Sequence, residues 1–262
     1  PSIFGGWAKR GERYYCDDFG CGCGWSFRYA EGEPKGIRHP SPLLQLTATS
    51  EDQVDTNLFG PLRASIRMGP LKDLLLVREG FVRIMGGSDD PETDRIDVVT
   101  ASALSRLGNP ISFAVQDEAG LYTTANKMRK VAETQRRGAA GMGGRTIETT
   151  NAWDPTENSV AQTTYESGST DIFRFYRNPD LVLRGKDDKP LRYSLKRDRQ
   201  KIHEYAYEGS WWVNLDSIEA EASELMENDP AQAERFFGNR LVHGAGTWLP
   251  EGEWAGAYVG RR

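Results

Sequence analysis

Hydrophobic residues along this chain fall into short runs of strand type, separated by stretches with helical period. Pro42 to Thr49 is one such run, and Ser50 with Gln53 behind it has capping-box spacing, which predicts a helix opening at Glu51. Val54 and Leu58 stand four apart and give that helix an apolar face, and Gly60-Pro61 is expected to end or kink it. Gly80 to Met85 and Ile96 to Thr100 read as further strands. Ile111 to Val115 reads as a fourth and runs into Gln116-Asp117-Glu118.

A helix is expected next, with Leu121, Ala125, Met128 and Ala132 on one stripe, broken by the glycines from Gly138 to Gly144. Arg145 to Asn151 reads as a strand with a polar end, Thr156 to Tyr165 as a helix, and Asp171 to Tyr176 as a strand. Such alternation predicts an α/β fold with a largely parallel sheet flanked by helices. From about residue 206 the pattern turns helical. Leu215, Ile218, Ala222 and Leu225 share a face, and Asp229-Pro230-Ala231-Gln232 opens another capped helix. The expected division is a sheet core over 1–205 and a small helical appendage over 206–262.

Composition narrows the class. The chain has 262 residues, 38% of them hydrophobic, and a net charge of −5. That content supports a packed core and argues against disorder. Apolar runs such as Leu74 to Val77 are far shorter than the roughly 18 residues of a membrane span. The first 30 residues hold no continuous apolar stretch of signal-peptide type. Three cysteines do not make a disulfide scaffold, so a reducing compartment is expected. A chain opening at Pro1 with its first methionine at Met68 reads as a fragment or processed product.

The chemistry concentrates where an apolar strand ends in two carboxylates. Ligands in open α/β sheets bind at the carboxyl ends of the strands. Two carboxylates there, Asp117 and Glu118, suit the first to hold a hydrated Mg²⁺ and the second to polarise a water against a nucleotide's γ-phosphate. Asp-Glu alone also caps ordinary helices, so its surroundings matter. Thr149, Thr150 and Asn151 end the next strand with short polar groups suited to sensing a phosphate, although such residues also end strands in plain turns. Arg106, in the polar segment ahead of the Asp-Glu strand, reads either as a surface arginine or as a finger offered to a neighbouring subunit's phosphate.

Taken in order, Leu46-Thr47-Ala48-Thr49-Ser50-Glu51-Asp52-Gln53, Val99-Thr100-Ala101-Ser102, Ile111 to Glu118 and Glu148-Thr149-Thr150-Asn151-Ala152-Trp153-Asp154-Pro155 resemble the ATPase domain of large terminase subunits of tailed double-stranded-DNA phages. The resemblance continues through Glu157 to Ala161, Thr164-Tyr165-Glu166 and Ala233 to Arg240, covering most of residues 40–250. It implies a RecA-like fold of the ASCE, P-loop type and a motor that hydrolyses ATP to package viral DNA. By position, Asp117 resembles the Walker B aspartate on Mg²⁺ and Glu118 the catalytic carboxylate. Thr149, Thr150 and Asn151 resemble the coupling motif, Arg106 a trans-acting arginine, and the helical end the linker toward a nuclease. The partners implied are double-stranded DNA, the portal, the small terminase subunit and further copies in a ring. The setting implied is the cytoplasm of an infected bacterium, away from membranes.

One departure bears on activity. No Gly-Lys-Ser or Gly-Lys-Thr occurs in the sequence, so the P-loop of that family is expected upstream of Pro1 and ATP affinity of this chain alone is expected to be poor. A truncated, non-catalytic product that keeps the fold and binds DNA or partner subunits therefore stays open as a second reading. A helicase-type ATPase fits the Asp-Glu strand but not Thr-Thr-Asn-Ala-Trp-Asp-Pro. Cys16, Cys21, Cys23 and His39 lack the paired spacing of a structural zinc site, and His203 and His243 read as structural. Of two basic clusters, Lys127 to Arg145 is the better DNA or subunit contact. The one from Lys186 to Lys201 is interrupted by aspartates and reads as a solvated face.

Overall fold

The computed structural model describes residues 4–15, 24–36, 43–69, 71–73, 75–84, 94–100, 109–186 and 188–242. Expectations for Arg106, Cys16, Cys21, Cys23, His39 and His243 lie outside the described residues. The chain forms two compact units, Pro1–Thr149 and Thr150–Arg262.

The first unit opens with two antiparallel ribbons. β1 (Phe4–Trp7) pairs with β4 (Pro34–Gly36), and β2 (Arg13–Tyr15) with β3 (Ser26–Arg28). A six-stranded sheet follows, built from β5 (Leu44–Thr47), β6 (Leu75–Val77), β7 (Phe81–Ile84), β8 (Arg95–Val99), β9 (Phe113–Asp117) and β10 (Arg145–Thr149). Its order is β10-β9-β5-β8-β7-β6. The first four strands run parallel, and β7 and β6 extend the sheet antiparallel. The expected largely parallel sheet is present. β5, paired on both sides, is buried from Gln45 to Thr47, as a central parallel strand covered on both faces must be. Leu46, Ala48, Val54, Phe59, Ile66 and Val82 form one core cluster, and Leu43, Ile111, Ala114 and Ala139 a second.

Ser50 caps α1 (Glu51–Val54) as expected, its hydroxyl accepting from the Gln53 N–H at 3.1 Å. Gly60-Pro61 does not end the helix. Residues Asp55–Phe59 make a wide π-helical turn, and α2 (Gly60–Met68) continues from it. Pro61 has no N–H to give, and the wide turn absorbs that loss. Gly60 donates to the Asp55 carbonyl, and a Cβ there would sit 2.6 Å from that oxygen. The turn also shifts the apolar face. Val54 and Phe59 are the fully buried pair, while Leu58 is only partly buried.

The helix expected from Leu121 starts later. Asn126 accepts from the N–H groups of Thr123 and Met128, both at 3.1 Å, and α3 spans Met128–Gly141. The helix also runs through Gly138. The Asn109 carbonyl would lie 2.7 Å from a Cβ at that position, so glycine lets this backbone pass close to α3.

In the second unit, Ser159 caps α4 (Val160–Glu166). The strand expected over Asp171 to Tyr176 is absent; this stretch is irregular. Arg174 explains why. Its guanidinium donates to the carbonyls of Tyr165, Ser169, Ile172 and Ser167 at 2.6–3.1 Å and to Thr164 at 3.4 Å, organising the backbone around one side chain rather than a ladder. Helices α5 (Lys196–Ala206), α6 (Leu215–Asn228) and α7 (Pro230–Phe236) complete the unit, with Asp229 capping α7 at 2.9 Å. The expected boundary at 205/206 falls in the last turn of α5. The core of this unit joins Tyr193 and Ile202 to Ala222 and Ala233, on both sides of that point.

The α5–α6 seam is polar. Arg199 forks onto Glu219 at 2.7 and 3.0 Å and also donates to the Tyr193 carbonyl and the Ser223 hydroxyl. Buried His203 meets the Tyr193 hydroxyl at 2.8 Å. Burial drives the His203 pKa down to about 4 against the opposing pull of Glu219, so the ring is neutral near pH 7, as a structural histidine would be.

Candidate functional site

Parallel alignment puts the carboxyl ends of β10, β9, β5 and β8 on one edge of the sheet. In-register pairing sets Thr149 beside Asp117, and the Thr149 hydroxyl donates to the Asp117 carboxylate at 2.7 Å. Two residues singled out from sequence are therefore in direct contact across neighbouring strands.

Glu118 follows with φ 56° and ψ 41°, a left-handed conformation that a glutamate seldom adopts. A short 3₁₀ turn, Ala119–Leu121, then leads to Tyr122. Backbone strain of this kind concentrates at ligand sites, where the surroundings hold a side chain in a fixed direction. Glu118 leaves the strand end half-buried, one residue after Asp117.

Tyr122 anchors the turn. Fully buried, it donates to the Thr47 carbonyl at 2.9 Å, which ties the turn after β9 to the end of β5. Its pKa is pushed up chiefly by burial, then by the charges of Asp117, Glu118 and Glu148. These three carboxylates thus make a local negative field at the sheet edge. Arg136 of α3 pairs with Glu148 and offsets one of them.

Behind the edge lies a buried amide network. Gln135 of α3 donates to Gln45 Oε1 at 3.0 Å and to Thr47 Oγ1 at 2.6 Å, while Gln116 donates to Gln135 Oε1 at 3.0 Å and to the Ala132 carbonyl at 3.3 Å. The network bolts α3 to β5 and β9, directly beneath Asp117. Sequence reasoning passed over Gln45, Gln116, Tyr122 and Gln135. Their one signal was a glutamine at an inward position of each of two apolar strands.

The donors fit a hydrated Mg²⁺. A single carboxylate backed by a hydroxyl supplies hard oxygens, and Mg²⁺ keeps most of its shell as water and phosphate oxygens. Among the described residues no cluster of three or more His, Cys, Asp or Glu is placed to cage a metal, which such a site does not need. Thr150 is exposed and Asn151 half-buried; both belong to the second unit.

Two motif stretches far apart in sequence meet within that unit. Asp154 pairs with Arg235 at 3.2 Å, the Tyr176 hydroxyl donates to the Asn239 carbonyl at 3.0 Å, and Trp153 packs against Tyr165 and Tyr176. Trp153-Asp154 and the Arg235 to Arg240 segment therefore serve packing. On α3, Lys130 and Arg137 face solvent, while Arg129 lies 4.0 Å from Glu133. Among the described residues no helix is long and apolar enough to cross a membrane.

Neither a scan of protein-family models nor a search of curated proteins finds a match. Among solved structures, the fold is similar to that of the bacteriophage HK97 large terminase. The TM-score is 0.55 at 14% identity, over 78% of this chain and 40% of that one. The ATPase domain of the Thermus phage P74-26 large terminase gives a TM-score of 0.45 at 13% identity, covering 78% of each chain. The large terminase of another thermophilic bacteriophage gives 0.38 at 12% identity, over 63% of this chain and 39% of that one. This chain spans two fifths of the HK97 protein's length. The likeness is one of fold, a RecA-like sheet flanked by helices.

Proposed function

We propose that this chain is the ATPase core of a phage large terminase, coupling ATP hydrolysis to the packaging of double-stranded DNA. The observation that carries the reading is the in-register Asp117–Thr149 contact at the carboxyl edge of a parallel sheet, with strained Glu118 one residue on. Mg-ATP, when bound, would supply the γ-phosphoryl group for transfer to water, with ADP as the leaving group. Asp117, its carboxylate oriented by the Thr149 hydroxyl, would hold the Mg²⁺. Glu118 accepts the proton of a water, aimed by its left-handed backbone. Thr149, Thr150 and Asn151 form the coupling segment that follows the phosphate's state. Arg106 acts as the finger toward a neighbouring copy in a ring. The portal, the small terminase subunit and the host cytoplasm follow from the same reading.

The second reading is a non-catalytic form that binds DNA or partner subunits without turnover. The substitution Glu118→Gln separates the two. In a protein that carries a P-loop joined to this chain, the variant retains ATP binding and loses hydrolysis by roughly 100-fold or more, the scale of general-base catalysis. Hydrolysis near the wild-type rate sinks the catalytic assignment.

A further inference from the structure

We propose that copies of this chain associate head to tail, the basic outer face of α3 on one copy meeting the acidic outer face of α6 on the next. The contact deepens the proposed function by giving its ring two named faces, and it rests on that reading for ring closure alone. With Lys127 at its cap, α3 carries Lys127, Arg129, Lys130, Arg136 and Arg137 against the one carboxylate of Glu133. Arg129 lies 4.0 Å from Glu133, and Arg136 pairs with Glu148. Lys127, Lys130 and Arg137 are exposed and make no ion pair among the described residues. Helical spacing sets these three on one stripe with Thr134, turned away from buried Ala132, Gln135 and Ala139.

Helix α6 has the opposite character. It holds no Lys, Arg or His and carries Asp216, Glu219, Glu221, Glu224 and Glu227. Arg199 takes up buried Glu219. The other four are exposed, make no ion pair among the described residues, and lie on the side turned from buried Ala222. Just ahead of α6, Trp211 and Trp212 meet edge-on at 5.7 Å and are 89% and 69% exposed. Tryptophan is the side chain most enriched at protein interface hot spots, and the carboxylates of the helix it precedes repel phosphates. The occupant of this face is therefore a cationic protein surface and not a nucleic acid. The chain carries such a surface itself, on α3. Duplex DNA on α3 would leave the α6 face unmet, whereas a second copy meets both. Because the two faces differ, each contact leaves one of each open, and repetition closes a ring or grows a filament.

Sedimentation velocity of the full chain over a concentration series, at about 0.01 M and about 0.5 M salt, tests this. Association is expected at low salt and should be lost at high salt. Lys127→Glu, Lys130→Glu and Arg137→Glu together should weaken it roughly tenfold or more, and so should Glu221→Lys, Glu224→Lys and Glu227→Lys together. Mixing these two variants should restore association, since each then offers the reversed face that the other lacks; a folding defect cannot produce that rescue. The neutral set Lys127→Gln, Lys130→Gln and Arg137→Gln should give an intermediate loss. A chain that stays monomeric at every concentration overturns the proposal. Wild-type association in the glutamine set does so too, as does failed rescue between variants whose circular dichroism matches wild type. If reversing α3 abolishes binding of a labelled DNA duplex and leaves association intact, α3 is a nucleic-acid face and the proposal fails. Hydrolysis enters none of these readouts, so failure of the ATPase assignment is read separately by Glu118→Gln.

Discussion

Replacing Gln135 with leucine keeps the shape of the side chain and removes all its hydrogen bonds. Gln135 is 2% exposed, and the change strands Gln45 Oε1 and Thr47 Oγ1 while leaving Gln116 Nε2 with only the Ala132 carbonyl. An orphaned buried polar group costs about 1–3 kcal/mol. Two full orphans and one partial one, with some local relaxation, should destabilise the first unit by about 2–4 kcal/mol. Hydrogen exchange of amides in β5 and β9 reads this locally, whatever the second unit does. Exchange there should accelerate roughly 30- to 700-fold. Replacing Gln45, Thr47, Gln116 and Gln135 together by Leu, Val, Leu and Leu should recover most of the loss, since no polar group is then left alone. Acceleration of less than about threefold in Gln135→Leu would refute the idea that the network bolts α3 to the sheet.

His203 titrates near 6.5 when unfolded and about 4 when folded, so the unfolded state binds the proton first; its contribution is complete above pH 6.5 and is lost as pH falls toward 4. Urea unfolding of His203→Gln should lack about 3 kcal/mol of this acid sensitivity, and an unchanged pH profile would count against a neutral buried ring. Glu118→Gly relieves the left-handed strain and should raise stability by about 0.5–1 kcal/mol while removing hydrolysis, a pairing that denaturant melts and an ATPase assay read together. Residues 1–262 alone, without Gly-Lys-Ser/Thr, should bind Mg-ATP at millimolar strength or weaker, about −4 kcal/mol, by isothermal titration; micromolar binding would mean that another segment cradles the phosphates.

The sheet was legible because its strands carry the expected apolar runs and because caps such as Ser50 and Asp229 mark helix starts. Asp117 was legible as a site candidate because it ends an apolar strand, and Thr149 because its strand ends in short polar groups. What escaped was written in polar residues. Nothing in the pattern of α5 announces a core helix, since its buried face is Asp198, Arg199, Ile202 and His203. Arg174 overrode the strand propensity of its phenylalanine neighbours by taking up five carbonyls. The amide network was invisible for the same reason, because a buried glutamine is recognisable only once its partners are in place.

The wide turn at Asp55–Phe59 also sets which changes of length this chain tolerates. Five positions along an α-helix lie about 140° apart, so Val54 and Phe59 share the core face only because one extra residue has been taken into the turn. Deleting one residue between them restores α-helical phase and keeps both side chains inward, where a deletion elsewhere in a helix would rotate everything beyond it. Pro61 prevents this on its own, since its ring would then strike the carbonyl four residues back. The deletion and a change at Pro61 therefore belong together: homologues one residue shorter here should lack the proline, and those that keep it should keep the residue and Gly60.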